Sequence, residues 1–347
     1  MGCCDNDFGW DVTLAMTDSS WKKKARRHQS ANGVGYTRAR REVDAAHHDG
    51  QAKVDSHALL SALGIDKPES LDVKALWEPR HRPTGTTRQM LLRTPIGLTP
   101  AGEPVWLDLK DPPLGGHGPH GLIVGMTGSG KSTALETVVF GLCVLHSPEV
   151  LQVIWGCGKG SEADVFANAF ANYPHVAARL TGQTAAGDIA LALDYLIEQR
   201  SQALIDAGTE LTGCRYRDVD AYHEARDAGA ALPPMPYTVI VIDELPQDEP
   251  TVAAVCRVQR QGGALGIRVL IATHPLWSNT TEVLEHSTYR LSFASKLGES
   301  SSYLAGQGFL ATPPGDAPVA LRMFAPLSDS AIGSIGRQLA AAATAAR

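Results

Sequence analysis

Eight consecutive residues, Gly125-Met126-Thr127-Gly128-Ser129-Gly130-Lys131-Ser132, fit the pattern G-x-x-x-x-G-K-[ST] in full. Glycines let a backbone wrap close to a phosphate with its N–H groups turned inward. Lys131 is placed to reach the β- and γ-phosphates of a nucleotide, and Ser132 to ligate Mg²⁺. Thr133 follows them at the start of the next element. The pattern predicts ATP as the bound nucleotide, with Mg²⁺ beside it. A chance glycine-rich turn with a lysine would lack a strand before it and a helix after it. Here Leu122-Ile123-Val124 supplies the strand, and Ser132 to Leu145 supplies the helix. The helix amino end adds favourable partial positive charge.

Two further runs end in polar residues. Tyr237-Thr238-Val239-Ile240-Val241-Ile242 is apolar and closes on Asp243-Glu244. Asp243 at the strand's carboxyl end can hold Mg²⁺ through water, and Glu244 can polarise an attacking water as general base. Taken alone, the same residues also read as a strand ending in solvated acids. The upstream loop favours the catalytic reading. Ile267-Arg268-Val269-Leu270-Ile271-Ala272 ends in Thr273-His274. His274 reads either as a sensor of the γ-phosphate or as an ordinary satisfied histidine.

The elements that must carry these residues follow from texture. Thr238–Ile242, Ile267–Ala272, Leu151–Trp155 and Tyr289–Phe293 are short β-rich apolar runs, and Ile189 to Ile205 carries a helical apolar period. Continuous apolar strands alternating with helices predict an α/β fold with a mainly parallel sheet covered on both faces. Residues 56–89 read as a helical linker, with apolar positions at Leu59, Leu60, Leu63, Leu71, Val73 and Leu76. Residues 90–327 read as the chemistry-bearing domain, and 328–347 as a terminal helix.

Residues 1–55 are polar and read as a basic, partly disordered segment. Between Lys22 and Arg41 stand three Lys, five Arg and no acid, although the whole chain of 347 residues carries a net charge of −6. Residues 21–41 can therefore contact DNA phosphates, or form a solvated tail. No apolar run approaches the roughly 18–20 residues of a membrane helix. The first fifteen residues lack a secretory core. The six cysteines show no metal-ligand spacing. A cytoplasmic protein is expected, held at a membrane only by a partner and with no direct insertion.

Several phrases together carry a resemblance: Thr94-Pro95-Ile96-Gly97-Leu98; Gly118-Pro119-His120-Gly121-Leu122; His146-Ser147-Pro148-Glu149-Val150; Ala225-Arg226-Asp227-Ala228-Gly229 running through Leu232-Pro233-Pro234-Met235-Pro236; and Gly266-Ile267 with Ala272-Thr273-His274. From about Leu59 to Phe324 the chain resembles the FtsK/SpoIIIE superfamily, and within it the ATPase modules of the type VII secretion motor EccC. The resemblance implies a RecA-like P-loop NTPase assembling as a ring, a hexamer, with nucleotide between subunits. It implies an arginine supplied in trans. Arg290, Arg257 and Arg260 are the candidates, each of which also reads as a surface salt bridge.

The chain departs from the family pattern in places. Trp155-Gly156-Cys157-Gly158-Lys159-Gly160-Ser161 lacks the usual acid, His274-Pro275 stands where glutamine and arginine are common, and Ser301 follows Glu299-Ser300 where arginine is usual. The main functional expectation is a DNA-associated ATP-driven translocase. The alternatives are an EccC-like ATPase acting on a secreted protein substrate, and a nucleotide-gated assembly module with weak hydrolysis.

Overall fold

A run of β-branched residues extends its own backbone, and a run apolar on both sides needs cover on both faces. β-Strands form at Arg93–Leu98 (β1), Pro104–Asp108 (β2), His120–Val124 (β3), Leu151–Cys157 (β4), Val176–Leu180 (β5), Tyr237–Asp243 (β6), Ile267–Thr273 (β7), Tyr289–Phe293 (β8), Gln307–Ala311 (β9) and Val319–Met323 (β10). The α-helices are Ser56–Ala62 (α1), Val73–His81 (α2), Lys131–Leu145 (α3), Ala185–Thr212 (α4), Val219–Asp227 (α5), Glu249–Gln261 (α6), Thr280–Glu285 (α7) and Asp329–Ala345 (α8). This computed structural model describes residues 56–81, 89–158, 169–274, 280–293, 306–312 and 317–345. The basic stretch 21–41, Lys159 to Ser161, Pro275 and residues 299–301 lie outside the described residues.

Among the described residues one sheet runs in the order β2-β1-β10-β9-β8-β3-β7-β6-β4-β5. From β8 to β5 the neighbours are parallel. From β8 outward to β2 they are antiparallel. The expected parallel sheet is therefore present, with an antiparallel extension that the apolar runs did not announce. β6 and β7 are buried at every residue, as strands covered on both faces must be.

Helix α3 is buried from Ala134 through Leu145, on all sides. It packs against β4, β6 and β7 and also against β1. β1 and β4 are seven strand steps apart in the sheet, about 34 Å if the sheet were flat, whereas a helix is only about 10–12 Å across. The antiparallel end therefore curls back over α3. Gly141 of α3 makes that approach possible, since a Cβ there would collide with the Thr94 hydroxyl of β1.

Residues 56–81 form two helices rather than one period. The chain turns between them at Gly64, whose φ is +76°. Leu59, Leu60, Leu63, Val73 and Trp77 join the main core. Helix α8 packs against α2 and buries Ile332, Ile335 and Leu339. Its Gln338 bridges back to the Leu71 N–H and the Pro68 carbonyl. No helix among the described residues is long and apolar enough to cross a membrane.

Candidate nucleotide site

β3 ends at Val124 and α3 begins at Lys131, so the octet forms the turn between strand and helix. Gly128 (φ +81°) and Gly130 (φ +110°) take left-handed conformations that a side chain would strain. Gly125 must also be small, because a Cβ there would crowd the Ser129 hydroxyl and lie 3.1 Å from Phe293 Cβ. The Gly125 N–H donates to the Thr273 carbonyl at 3.4 Å, which ties the loop to the tip of β7. The Gly306 N–H donates to the Ser129 carbonyl at 3.0 Å, and the Gly306 carbonyl accepts from the Met323 N–H at 2.8 Å. The loop is thus also held from the antiparallel side.

The Lys131 ammonium donates to the Gly125 carbonyl at 2.7 Å and the Met126 carbonyl at 3.2 Å. It curls over the loop it belongs to. The Ser132 hydroxyl donates to Asp243 Oδ2 at 3.0 Å, joining the start of α3 to the tip of β6. Strand order explains the meeting. β6 is separated from β3 only by β7, and all three strands point the same way. Thr127 Oγ1 and His274 Nε2 lie 2.9 Å apart. Burial holds the His274 imidazole below its ordinary pKa, the Lys131 charge adds to this, and Glu244 opposes it. Thr133 stands in the first turn of α3.

Lys131, Ser132, Asp243, Thr127 and His274 are therefore brought together, with Glu244 within electrostatic reach of His274. The arginines are not. Arg257 and Arg260 lie toward the carboxyl end of α6, which runs back from the site's edge of the sheet. Arg257 pairs with Asp194 at 3.2 Å and Arg260 with Glu282 at 3.3 Å. Arg290 sits on β8 opposite Leu122, half-buried, with its Nε buried and lacking a hydrogen-bond partner. Burial lowers its pKa.

The donor set fits a nucleotide triphosphate with Mg²⁺: an ammonium, a helix amino end, a hydroxyl and a carboxylate are hard-ion and phosphate chemistry. Among the described residues no group of three or more His, Cys, Asp or Glu gathers around a metal position. Mg²⁺ at phosphates needs only one or two carboxylates besides the substrate's own oxygens. Two features escaped the sequence. Gly306 reaches the loop from far along the chain, which no local pattern reports. Glu244 has φ +71°, a conformation its residue type does not advertise.

The FtsK/SpoIIIE family model matches residues 79–280, more than half of the chain. The ESX-3 secretion system protein EccC3 of Mycobacterium tuberculosis is 36% identical over 289 residues, covering 76% of this chain and 21% of that protein. The ESX secretion system protein EccC of Thermomonospora curvata is 35% identical over 239 residues, covering 67% of this chain and 17% of that protein. The solved cytoplasmic domain of the Thermomonospora curvata type VII secretion ATPase EccC matches with a TM-score of 0.68 at 29% identity, over 81% of this chain and 34% of that one. The chain spans about a fifth of the length of the curated relatives it matches. These likenesses favour the secretion alternative; the expectation of a DNA translocase finds no support in them. The chain belongs to the FtsK/SpoIIIE family of P-loop ATPases.

Proposed function

We propose that this chain is an ATP-hydrolysing module of the EccC kind, acting on protein substrates in type VII secretion. The observation that carries the hydrolytic part is the Ser132–Asp243 hydrogen bond, which couples the phosphate loop to the acid-tipped strand. Both relatives are named as secretion system proteins, which supports a role in secretion. In this reading residues 90–327 carry the ATPase domain, and copies of the chain form a ring, a hexamer. The module works on the cytoplasmic side and is held at the membrane by a partner.

The N–H groups of Gly125 to Thr133 cradle the phosphates of ATP. Lys131 exchanges its two loop carbonyls for phosphate oxygens. Ser132 and Asp243 hold Mg²⁺, which when bound neutralises phosphate charge. Glu244 accepts the proton of the attacking water. His274, whose pKa burial holds below its ordinary value, reads the outer phosphate through its contact with Thr127. Arg290 of a neighbouring copy is the first candidate to complete the site, ahead of Arg257 and Arg260. Its buried Nε is unpaired, whereas the other two already hold carboxylates.

The test is the ATPase rate of wild type and Glu244→Gln, with the carboxyl-terminal segment of a secreted substrate or with double-stranded DNA. Turnover should rise with the protein segment and not with DNA, and Glu244→Gln should lower it by about 10²–10⁴-fold. The eight cations between Lys22 and Arg41 favour a second reading, in which DNA is the substrate. DNA stimulation that disappears on truncating residues 1–55 would establish that reading instead. The third alternative, an assembly module, draws on the stretch Trp155 to Ser161, which lacks the acid usual in the family, and on the altered strand tip at His274-Pro275. Tight ATP binding with negligible turnover in every arm would establish it.

A further inference from the structure

Glu244 is one of only two non-glycine residues among the described residues with positive φ, the other being Leu92. The neighbouring hydrogen bonds explain why. β6 lies between β4 and β7 in the sheet. The Asp243 carbonyl accepts from the Gly158 N–H at 3.2 Å, on the β4 side. In a regular strand, successive residues address alternate neighbours, so the groups of Leu245 would turn back toward β4. Instead the Leu245 N–H reaches the Ala272 carbonyl of β7 at 3.3 Å, and the Leu245 side chain is buried. Glu244 absorbs the reversal between two anchored residues. It acts as a bulge at the strand tip, a device that re-aims a side chain.

The reversal swings the Glu244 carbonyl toward β4. There it meets Gly158, the residue directly after that strand. A Cβ on Gly158 would fall inside the van der Waals shell of the Glu244 carbonyl oxygen and lie 2.9 Å from Cδ and Cγ of Pro246. The contact is with backbone and a proline ring, neither of which can swing aside as a flexible side chain would. Gly158 itself is not in a positive-φ conformation, so its own backbone does not demand glycine. The space in front of it does.

We infer that Gly158 is a positioning residue for Glu244: having no side chain, it leaves room for the Glu244 carbonyl and so keeps the left-handed turn that aims the carboxylate. The inference rests on the proposed role of Glu244 as general base. Backbone strain at a catalytic position persists only where its surroundings enforce it, and Gly158, Pro246 and the Leu245–Ala272 bond are those surroundings.

The test uses the full chain as wild type, Gly158→Ala, Glu244→Gln and Glu244→Gly, reading turnover, affinity for a fluorescent ATP analogue, and Tm. Gly158→Ala should lower kcat by about 10²-fold, the scale of a misplaced catalytic group, with nucleotide affinity within about 2-fold of wild type. Glu244→Gly should lose turnover and gain Tm, because glycine adopts the turn without strain. Wild-type turnover in Gly158→Ala while Glu244→Gln is inactive overturns the positioning role and leaves the base assignment standing. Wild-type turnover in Glu244→Gln overturns the base assignment itself. A fall in Tm for Glu244→Gly removes the strain from the argument and overturns the inference. Should Gly158→Ala fail to fold, the double variant Gly158→Ala with Pro246→Gly decides, because it removes the ring contacts and frees the segment that carries the Glu244 carbonyl. Recovery of the fold with lowered kcat supports the clash and the positioning role, and continued unfolding or recovery with wild-type kcat overturns them.

Discussion

β6 and β7 are buried at all positions, whereas β9 and β10 alternate, leaving Phe309 48% and Val319 43% exposed. β6 and β7 are sandwiched between helices, and β9 and β10 face solvent on one side. The two halves of one sheet thus have different work. Every residue of the candidate site that the structure brings together stands at the carboxyl edge of β3, β6 or β7. The antiparallel half contributes braces instead: Gly306 holds the Ser129 carbonyl, and the residue just before β1, Leu92, donates its N–H to His146 Nε2 at the end of α3. A phosphate loop on doubly covered strands is stiff, and the second half fixes the helix that follows it.

The sharpest way to break this division is Lys131→Ala. If the chemistry sits where the parallel strands end, removing this ammonium should weaken ATP binding by at least about 10²-fold, the scale for losing a hydrogen-bonded charge partner. Titration with a fluorescent ATP analogue measures it. Unchanged affinity would move the nucleotide to another part of the molecule.

Stability sharpens the same comparison. Leu122 on β3 is fully buried, and Leu122→Ala should cost about 2–5 kcal/mol in denaturant unfolding. Val319→Ala, on the half-open strand β10, should fall within about 0.5 kcal/mol of wild type. Equal costs at both positions would mean that the two halves share one kind of core.

The braces themselves make a pH prediction. His146 accepts the Leu92 N–H at Nε2, and its Nδ1 lies 2.8 Å from the Leu142 carbonyl, so the folded ring is neutral. Burial pushes its pKa down to about 3, and Arg80, His175 and Lys110 add to the fall. His175 is pushed down to about 4 and His120 to about 3, both by burial first. A folded pKa below the unfolded value means that the unfolded chain binds more protons, so stability rises with pH across that window. Unfolding midpoints should therefore be level above about pH 6.5 and fall progressively as the pH drops toward about 4. His146→Gln should flatten part of that slope, and a slope of the opposite sign would mean that these rings are charged when folded.

The same division governs what can be read from residues alone. Tyr237 to Ile242 and Ile267 to Ala272 are uninterrupted apolar runs, so β6 and β7 and their polar tips are legible. The octet announces the loop, and pairing it with Asp243 anticipates the Ser132 contact. β1 is buried but only six residues long and interrupted by Pro95 and Gly97, and β9 and β10 are short and half-exposed, β9 with Gly308 inside it, so their pattern does not separate them from loops. β5 is an edge strand carrying the exposed Arg179 and gives no continuous apolar signal. The left-handed Glu244 was hidden for another reason. Its φ follows from hydrogen bonds to β4 and β7, and neither partner is near it in the chain.

The smallest expected effects separate the arginines. Arg257 and Arg260 are exposed partners of Asp194 and Glu282, and exposed pairs contribute about 0–1 kcal/mol. Arg257→Ala and Arg260→Ala should therefore leave Tm nearly unmoved and turnover near wild type. Arg290 differs, since a half-buried guanidinium with an unpaired Nε gains little from its own fold. Arg290→Ala should keep Tm and nucleotide affinity while turnover falls. Mixing it with Lys131→Ala, which keeps its arginine but cannot bind ATP, should restore part of the rate if the guanidinium acts across a boundary between copies. The same mixture without any recovery confines Arg290 to its own subunit and returns Arg257 and Arg260 to the front.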